Sequence, residues 1–346
     1  MILDHWRSGT ERKGDLPAPW ERWKDLTYHP LPAGSVDKAE EAEEETEVSV
    51  QGRVLTEFLD HFNHDLAIGR LFRTGEIRKR FKEAEWKVPD CFIMTSIDMP
   101  DFTMKYLESM NGGNTDRVIL QLHGGGYIGA VRNKYYVFAG LYNEVSGGYP
   151  VLTPDYRVAP EHPYPAALED ALASYQWLLK QGWFGEQIIL AGDSAGGGLA
   201  MALTMYLRDH NLPMPGGIIA MSPWTDMTAS GESYEYNFDK DPMFGGTKDS
   251  MIYENSYPGD HDKMDCYLSP LFGDFRQFPP MLIQVGSLEM LLSDSLGVAA
   301  KARQASVKVR ISVYEGMFHV FQMAYLSIPE SRKAWIEVGR YFDALE

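Results

Sequence analysis

The spacing of hydrophobic positions changes near residue 90, and this change divides the chain into two parts. Between Val48 and Lys87, apolar residues recur at intervals of three and four, the period of an amphipathic helix. From about Cys91 onward, short apolar runs alternate with longer segments of helical period. We therefore expect residues 1–90 to form helices outside the main sheet, and residues 91–346 to form a domain that contains strands.

The second part alternates strands with helices along its length. Strands are predicted at Phe92–Met94, Phe102–Leu107, Arg117–Leu122, Pro150–Thr153, Gln187–Leu190, Ile218–Met221, Met281–Val285 and Val307–Tyr314. Helices are predicted at Tyr135–Val145, Ala166–Lys180, Ala195–Asp209, Asp294–Gln304 and Glu330–Phe342. This alternation is typical of the α/β class, with a mostly parallel sheet covered by helices on both faces. The interval Thr225–Leu268 is too long for a plain loop, so we expect it to hold helices of its own.

A nucleophile motif lies where a predicted strand is followed directly by a helix. Gly192-Asp193-Ser194-Ala195-Gly196 fits the pattern G-x-S-x-G. Small residues on both sides of the serine permit a sharp turn, which holds the hydroxyl clear of the sheet at a helix N-terminus. We interpret Ser194 as a nucleophile; an ordinary glycine-rich turn is the alternative.

A second glycine-rich motif, His123-Gly124-Gly125-Gly126, follows another predicted strand. Consecutive glycines let backbone N–H groups approach a ligand without hindrance, and a developing oxyanion needs such preset donors. We expect Gly125, Gly126 and Ala195 to supply these donors, with Gly124 as a further candidate. A flexible turn is the alternative, and His123 itself is expected to brace the loop.

Together these motifs resemble the hormone-sensitive-lipase-like (family IV) branch of the α/β-hydrolases. The segment Asp155–Ala167 resembles the signature that this branch carries between the two motifs. The resemblance covers roughly residues 90–345 and implies an α/β-hydrolase catalytic domain over residues 91–346. It also implies that residues 1–90 form an N-terminal helical cap segment. Ser222-Pro223-Trp224-Thr225-Asp226 resembles the entry into a second part of that cap, at about residues 225–268.

The resemblance implies a general base late in the chain, and His319 has the required position. It follows the last predicted strand, Val307–Tyr314, whereas the other histidines lie in the expected cap, in the glycine-rich motif, in a proline-rich loop or at a helix end. The chain order Ser194, acid, His319 is then the order typical of this fold.

The triad acid is expected after the strand Met281–Val285. Most of the resembled family has aspartate at the first acidic position, where this chain has Glu289, an accepted variant of the triad acid. Asp294 is the competing residue, and it also fits an N-cap or first-turn acid of the next helix. We predict that Glu289 is the acid.

The resemblance implies a serine carboxylesterase that acts on short to medium acyl esters, with Ser194, Glu289 and His319 as its triad. Two alternatives are a lactone hydrolase or other acyl-transfer enzyme on the same site, and a non-catalytic small-molecule receptor. Relatives of the receptor kind lose the base histidine, so the presence of His319 disfavours that alternative.

Composition and net charge limit which binding partners and which cellular location we expect. The net charge is −17, and no stripe of lysine and arginine is present, so nucleic acid and anionic membranes are not expected partners. The chain has no N-terminal apolar signal segment, no apolar run long enough to span a membrane and only two cysteines, which predicts a cytoplasmic protein. No cofactor or metal site is indicated. The expected partner is a small-molecule ester, and homodimer formation is left open, as is the role of the acidic run Asp37–Glu47.

Overall fold

An eight-stranded sheet forms the centre of the protein in the computed structural model, which describes residues 48–63, 74–76, 78 and 83–345. The strands are β1 (Phe92–Asp98), β2 (Thr103–Ser109), β3 (Val118–Leu122), β4 (Val151–Asp155), β5 (Ile188–Asp193), β6 (Gly217–Met221), β7 (Met281–Gly286) and β8 (Val309–Tyr314). Their spatial order is β1-β2-β4-β3-β5-β6-β7-β8. β1 and β4 each pair antiparallel with β2, and all other neighbours are parallel.

Helices cover the two faces of this sheet. They are α1 (Val50–Asn63), α2 (Asn133–Val145), α3 (Ala166–Lys180), α4 (Ala195–Asp209), α5 (Ser233–Tyr236), α6 (Leu292–Gln304) and α7 (Pro329–Asp343). Short 3₁₀ turns lie at Gly185–Gln187, Pro270–Phe272 and Phe321–Ala324. The predicted mostly parallel α/β architecture is confirmed.

The central strands are mainly apolar because both of their faces are buried. Every residue of β3, β5, β6 and β7 is buried. Along β3, Val118 and Leu120 belong to the hydrophobic cluster on one face, whereas Ile119 belongs to the cluster on the other face. Alternate side chains therefore point to opposite faces, and both faces are buried. For this reason these strands do not show the apolar and polar alternation of a half-exposed strand.

Helix α1 packs against the far end of the chain. Leu55 and Leu59 contact a small hydrophobic cluster that includes Met317. Ser49, just before the helix, donates from its backbone N and its hydroxyl to the Glu330 carboxylate at 2.7 and 2.9 Å. The acidic run and the rest of residues 1–47 lie outside the described residues, so the division into a cap segment and a catalytic domain stays a prediction.

The segment Thr225–Leu268 differs from the expectation that it would hold helices of its own. Its described structure is a series of hydrogen-bonded turns, with α5 as a single helical turn. Side chains of aspartate and asparagine accept backbone N–H groups two residues further on, and such local bonds compete with the helix. The residues that do so are Asp226, Asp241, Asn255, Asp262 and Asp265.

The parallel strands bring the predicted site motifs to one edge of the sheet. The glycine-rich motif follows β3, Ser194 follows β5, Glu289 follows β7 and His319 follows β8. Carboxyl ends of parallel strands meet at the same edge, where open α/β sheets bind their ligands. The topology therefore gathers residues that are far apart in the sequence.

A glycine in helix α4 allows the close packing of that helix under this edge. A Cβ atom added to Gly196 would clash with the Leu122 carbonyl oxygen and would lie 2.6 Å from the His123 carbonyl oxygen. We expect Gly196→Ala to lower the free energy of unfolding by about 1–3 kcal/mol, as overpacking does, because backbone must move. Denaturant unfolding monitored by circular dichroism measures this change.

The matched control is Gly297→Ala, within helix α6. There the nearest atom to an added Cβ is the end of the Leu271 side chain, which can rotate away. Replacing a mid-helix glycine then stabilises the protein by up to about 1 kcal/mol. Equal destabilisation in both variants would contradict the assignment of tight backbone packing to Gly196.

Candidate active site

Ser194 occupies a strained turn between β5 and α4. Its φ of 52° and ψ of −123° lie in a region that residues other than glycine rarely adopt. Its N–H donates to the Met221 carbonyl at 2.9 Å, and its own carbonyl accepts the Trp224 N–H at 2.9 Å. A Cβ atom at Gly192 would clash with the backbone of Gly196, so the turn excludes larger residues there. These constraints fix the serine at the N-terminus of α4.

Glu289 and His319 form a buried hydrogen-bonded pair. His319 Nδ1 lies 2.8 Å from Glu289 Oε2, and the glutamate is fully buried. The other carboxylate oxygen, Oε1, accepts the Ser222 hydroxyl at 2.7 Å and the Gly286 N–H at 2.5 Å. Because an ionised carboxylate only accepts hydrogen bonds, Nδ1 must carry the proton. In neutral His319 this leaves Nε2 as a proton acceptor.

The imidazole of His319 is covered by an aromatic ring from the segment Thr225–Leu268. The Phe244 ring lies 4.7 Å from the His319 ring, centre to centre, at an interplanar angle of 60°. His319 itself is 6% exposed. An apolar cover of this kind limits access of water to the imidazole and strengthens its bond to the carboxylate.

Asp193, next to the serine, links the nucleophile turn to the glycine-rich loop. Its carboxylate accepts the Gly124 N–H at 3.0 Å and the Tyr135 hydroxyl at 3.2 Å. Burial raises the pKa of Asp193, whereas the positive charges of Lys134 and of protonated His319 lower it. Asp193 therefore holds two loops together, as expected of a structural acid.

The structure contradicts the prediction for Gly124 as a further oxyanion donor. Its only backbone N–H is bonded to Asp193. The carbonyl of Gly125 accepts the N–H groups of Ile128 and Gly129 at 3.1 and 2.8 Å. In a trans peptide the N–H points away from the carbonyl, so the N–H of the next residue, Gly126, faces the opposite side.

The other three predicted donors, Gly125, Gly126 and Ala195, lie at this same edge of the sheet. Within the described residues, no hydrogen-bond acceptor is found for the N–H of Gly125, Gly126 or Ala195. The positive φ values of Gly125 and Gly126, 114° and 64°, favour glycine and give the loop its shape. Asn255 Nδ2 donates to the Gly126 carbonyl at 2.9 Å and steadies the loop from outside.

His123 braces the glycine-rich loop, as predicted. Its Nδ1 bonds to the Gly124 carbonyl at 2.8 Å, and its ring stacks on Tyr156 at 3.9 Å between ring centres. Burial lowers the pKa of His123 to about 4, so its ring is neutral near pH 7.

Asp294 is bonded away from the histidine. It lies in the first turn of α6, fully buried, and its carboxylate accepts the N–H groups of Thr225 and Asp226 at 2.7 and 2.8 Å. It also accepts the Tyr234 hydroxyl at 3.0 Å. Burial raises the pKa of Asp294 to about 8, although the bonds from the two backbone amides and Tyr234 oppose this rise. Asp294 thus fixes the start of the segment Thr225–Leu268.

Several residues of that segment hold the acid loop, and the sequence analysis missed them. Asn237 donates to the carbonyls of Ser287 and Glu289 at 2.9 and 2.8 Å. Asp241 accepts the Met290 N–H at 2.8 Å. No sequence signal distinguishes these side chains from the other polar residues of a loop rich in aspartate, because their partners are distant in the chain.

Neither a metal cluster nor a membrane span is found among the residues that the structure describes. No group of three or more histidine, cysteine, aspartate or glutamate side chains there could hold a metal ion. No described helix is both long and apolar enough to cross a bilayer.

Comparison with known proteins identifies the family. The family model of the α/β hydrolase fold matches residues 119–323. An esterase of Acinetobacter venetianus is 36% identical over 231 residues, which cover 66% of this chain and 76% of the relative. The chain belongs to the α/β-hydrolase family.

Solved structures place this α/β-hydrolase more narrowly. EstE5, in a crystal soaked with p-nitrophenyl butyrate, is 33% identical, with a TM-score of 0.75 over 86% of this chain and 99% of EstE5. An esterase from the bacterial hormone-sensitive lipase family is 30% identical, with a TM-score of 0.73 over 84% of this chain and 97% of the esterase. This α/β-hydrolase is therefore a carboxylesterase of the hormone-sensitive-lipase-like branch.

The elevated pKa of Asp294 predicts how the stability of the protein depends on pH. An ordinary aspartate has a pKa of 3.8, so between about pH 4 and about pH 8 the folded protein holds a proton that the unfolded chain releases. The free energy of unfolding should therefore fall as pH rises through this window. The side chain in Asp294→Asn does not titrate. The free energy of unfolding of this variant, relative to that of wild type, should therefore rise with pH.

Denaturant unfolding at several pH values measures this difference. Asp260→Asn, on an exposed loop, is the control and should follow the wild-type curve. Parallel curves for wild type and Asp294→Asn would show that Asp294 is ionised in the folded protein across the whole window.

Proposed function

We propose that this carboxylesterase uses Ser194 as nucleophile, His319 as general base and Glu289 as the acid that orients the histidine. The observation that supports this proposal most strongly is the buried bond between His319 Nδ1 and Glu289 Oε2. This bond presents Nε2 as a proton acceptor at the edge of the sheet where the Ser194 turn also lies. The strained conformation of Ser194 agrees with a nucleophile held in a sharp turn.

In the acylation step, Ser194 Oγ attacks the ester carbonyl carbon while His319 Nε2 takes the hydroxyl proton. The carbonyl oxygen becomes an oxyanion, which the N–H groups of Gly125, Gly126 and Ala195 would stabilise. Collapse of the tetrahedral intermediate breaks the bond to the alcohol oxygen, which receives the proton from His319. An acyl-enzyme on Ser194 remains.

In the deacylation step, His319 takes a proton from water as the water oxygen attacks the acyl carbon. The second tetrahedral intermediate releases the carboxylic acid, and Ser194 Oγ regains the proton from His319. Glu289 remains ionised throughout and stabilises the imidazolium that forms twice in each turnover. The two donors to its Oε1 oxygen hold the carboxylate in place.

We also propose a preference for short to medium acyl chains. Met251, almost fully buried, lies against Gly126, and Phe244 lies against His319, so two side chains of the segment Thr225–Leu268 line the space around the reacting atoms. Such walls suit an enclosed apolar pocket better than an open lipid-binding face. That EstE5 was soaked with a butyrate ester is in keeping with this preference.

Ser194→Ala should abolish turnover without loss of the fold. The hydroxyl is small, and its removal leaves the backbone bonds of the turn in place, so kcat for p-nitrophenyl butyrate should fall to below about a thousandth of wild type. Mass spectrometry after treatment with diethyl p-nitrophenyl phosphate should find one adduct, on Ser194, in wild type alone. An adduct on the variant would assign the nucleophile to another residue.

Replacement of the two buried acids separates their roles. Glu289→Gln should lower kcat by about a thousandfold or more, because the amide can donate to Nδ1 and so stabilises the wrong tautomer of His319. Asp294→Asn should keep kcat within about tenfold of wild type, because its bonds reach only Thr225, Asp226 and Tyr234. Steady-state kinetics on folded protein measure both. The reverse ranking would assign the triad acid to Asp294.

A series of p-nitrophenyl esters tests the acyl preference. Acyl chains of about two to eight carbons should give the highest kcat/KM, and longer chains should be hydrolysed more slowly because they exceed an enclosed pocket. Met251→Ala, which removes part of the wall beside Gly126, should shift the preferred length upward. Faster hydrolysis of emulsified long-chain triglyceride than of dissolved butyrate ester would refute the preference.

A further inference from the structure

The end of strand β6 is hydrogen-bonded to Ser194, to Glu289 and to the backbone that follows His319. The carbonyl of Met221 accepts the Ser194 N–H, and the N–H of Trp224 donates to the Ser194 carbonyl. Between these two residues lies Ser222, whose hydroxyl reaches the other half of the site. The motif Ser222–Asp226 predicts only the entry into a cap, so these contacts add a role that the motif alone does not indicate.

The Ser222 hydroxyl bridges the loops that carry Glu289 and His319. It donates to Glu289 Oε1 at 2.7 Å and accepts the Val320 N–H at 3.1 Å, and the side chain is fully buried. A hydroxyl has a single proton, and here it donates that proton in the hydrogen bond to the carboxylate. The Val320 N–H must therefore donate to a lone pair of the hydroxyl oxygen. Both bonds therefore have a fixed direction.

The backbone of Ser222 is held in an unusual conformation. Its φ is 48°, in the left-handed region, and its N–H donates to the Gln284 carbonyl of β7 at 2.7 Å. A serine in this conformation costs free energy relative to glycine, so the conformation is maintained by its surroundings. In this backbone conformation, the Ser222 hydroxyl lies within hydrogen-bond distance of both loops.

We propose that Ser222 is a positioning residue of the esterase site, which aims the second oxygen of Glu289 at His319 Nδ1 and sets the backbone that follows His319. The inference rests on the proposed roles of Glu289 and His319. Without the hydroxyl, Oε1 keeps only the Gly286 N–H, the carboxylate can rotate, and the N–H of Val320 loses its acceptor. Both constraints on the orientation of the histidine are then weaker.

Kinetics of two variants separate the hydroxyl from the backbone strain. Ser222→Ala and Ser222→Gly both remove the hydroxyl, but only glycine relieves the strain. For p-nitrophenyl butyrate we expect each to lower kcat by about 10- to 100-fold, with KM within about twofold of wild type, because the substrate does not touch Ser222. Recovery of kcat in the glycine variant, or a loss confined to KM, would overturn the proposal.

A matched control removes another buried serine hydroxyl. Ser174, in helix α3, is fully buried, and its hydroxyl donates within that helix, to the Asp170 carbonyl at 2.7 Å. Ser174→Ala should keep wild-type kcat. An equal loss of kcat in Ser174→Ala and Ser222→Ala would show that loss of any buried hydroxyl slows the enzyme, and would overturn the specific role of Ser222.

Nuclear magnetic resonance tests the inference without any substrate. In protein labelled with ¹⁵N-histidine, at about pH 8 where an ordinary histidine is neutral, the ¹⁵N shifts report which ring nitrogen carries the proton. Wild type should show His319 protonated at Nδ1, and the two Ser222 variants a mixture of tautomers. Unchanged tautomers in both variants would overturn the proposal. If wild type hydrolyses no ester, the proposed function fails, yet this measurement still decides the role of Ser222.

Discussion

A carboxylate buried without contact with water must have hydrogen-bond donors on both oxygens, and the Glu289 carboxylate sets this requirement for the site. Its donors come from three places: Ser222 after β6, Gly286 at the end of β7, and His319 after β8. Each donor fixes a loop relative to the others. The same bonds that remove the cost of burying the charge therefore align the imidazole for proton transfer.

The segment Thr225–Leu268 closes the site from outside by the same principle. Its polar side chains form hydrogen bonds with backbone groups of the site loops. Asn255 bonds to Gly126, Asp241 bonds to Met290, and Asn237 bonds to the carbonyls of Ser287 and Glu289. Its apolar side chains, among them Phe244, lie against the reacting groups. A segment with little regular structure thus gains order from contacts with the rigid ends of the sheet.

The sequence predicted the fold well because its central strands are buried on both faces and therefore appear as mainly apolar runs. Local spacing and chain order predicted Ser194 and His319 as site residues, and the parallel strands bring both to one edge of the sheet. The loss of Gly124 as a donor could not be predicted, because it depends on Asp193 reaching across from another strand. The turns of the segment Thr225–Leu268 could not be predicted either. They depend on hydrogen bonds from aspartate side chains to the local backbone, which leave no periodic pattern in the sequence.

The most direct test of the proposed mechanism is a crystal structure of the protein inactivated by a short alkyl phosphonate, whose tetrahedral phosphorus resembles the acylation intermediate. We expect phosphorus bonded to Ser194 Oγ, and a phosphonyl oxygen about 3 Å from the nitrogens of Gly125, Gly126 and Ala195. Gly124 should stay on Asp193, and Glu289 on His319. A phosphonyl oxygen bound by Gly124, with Asp193 displaced, or an adduct on another residue would contradict it.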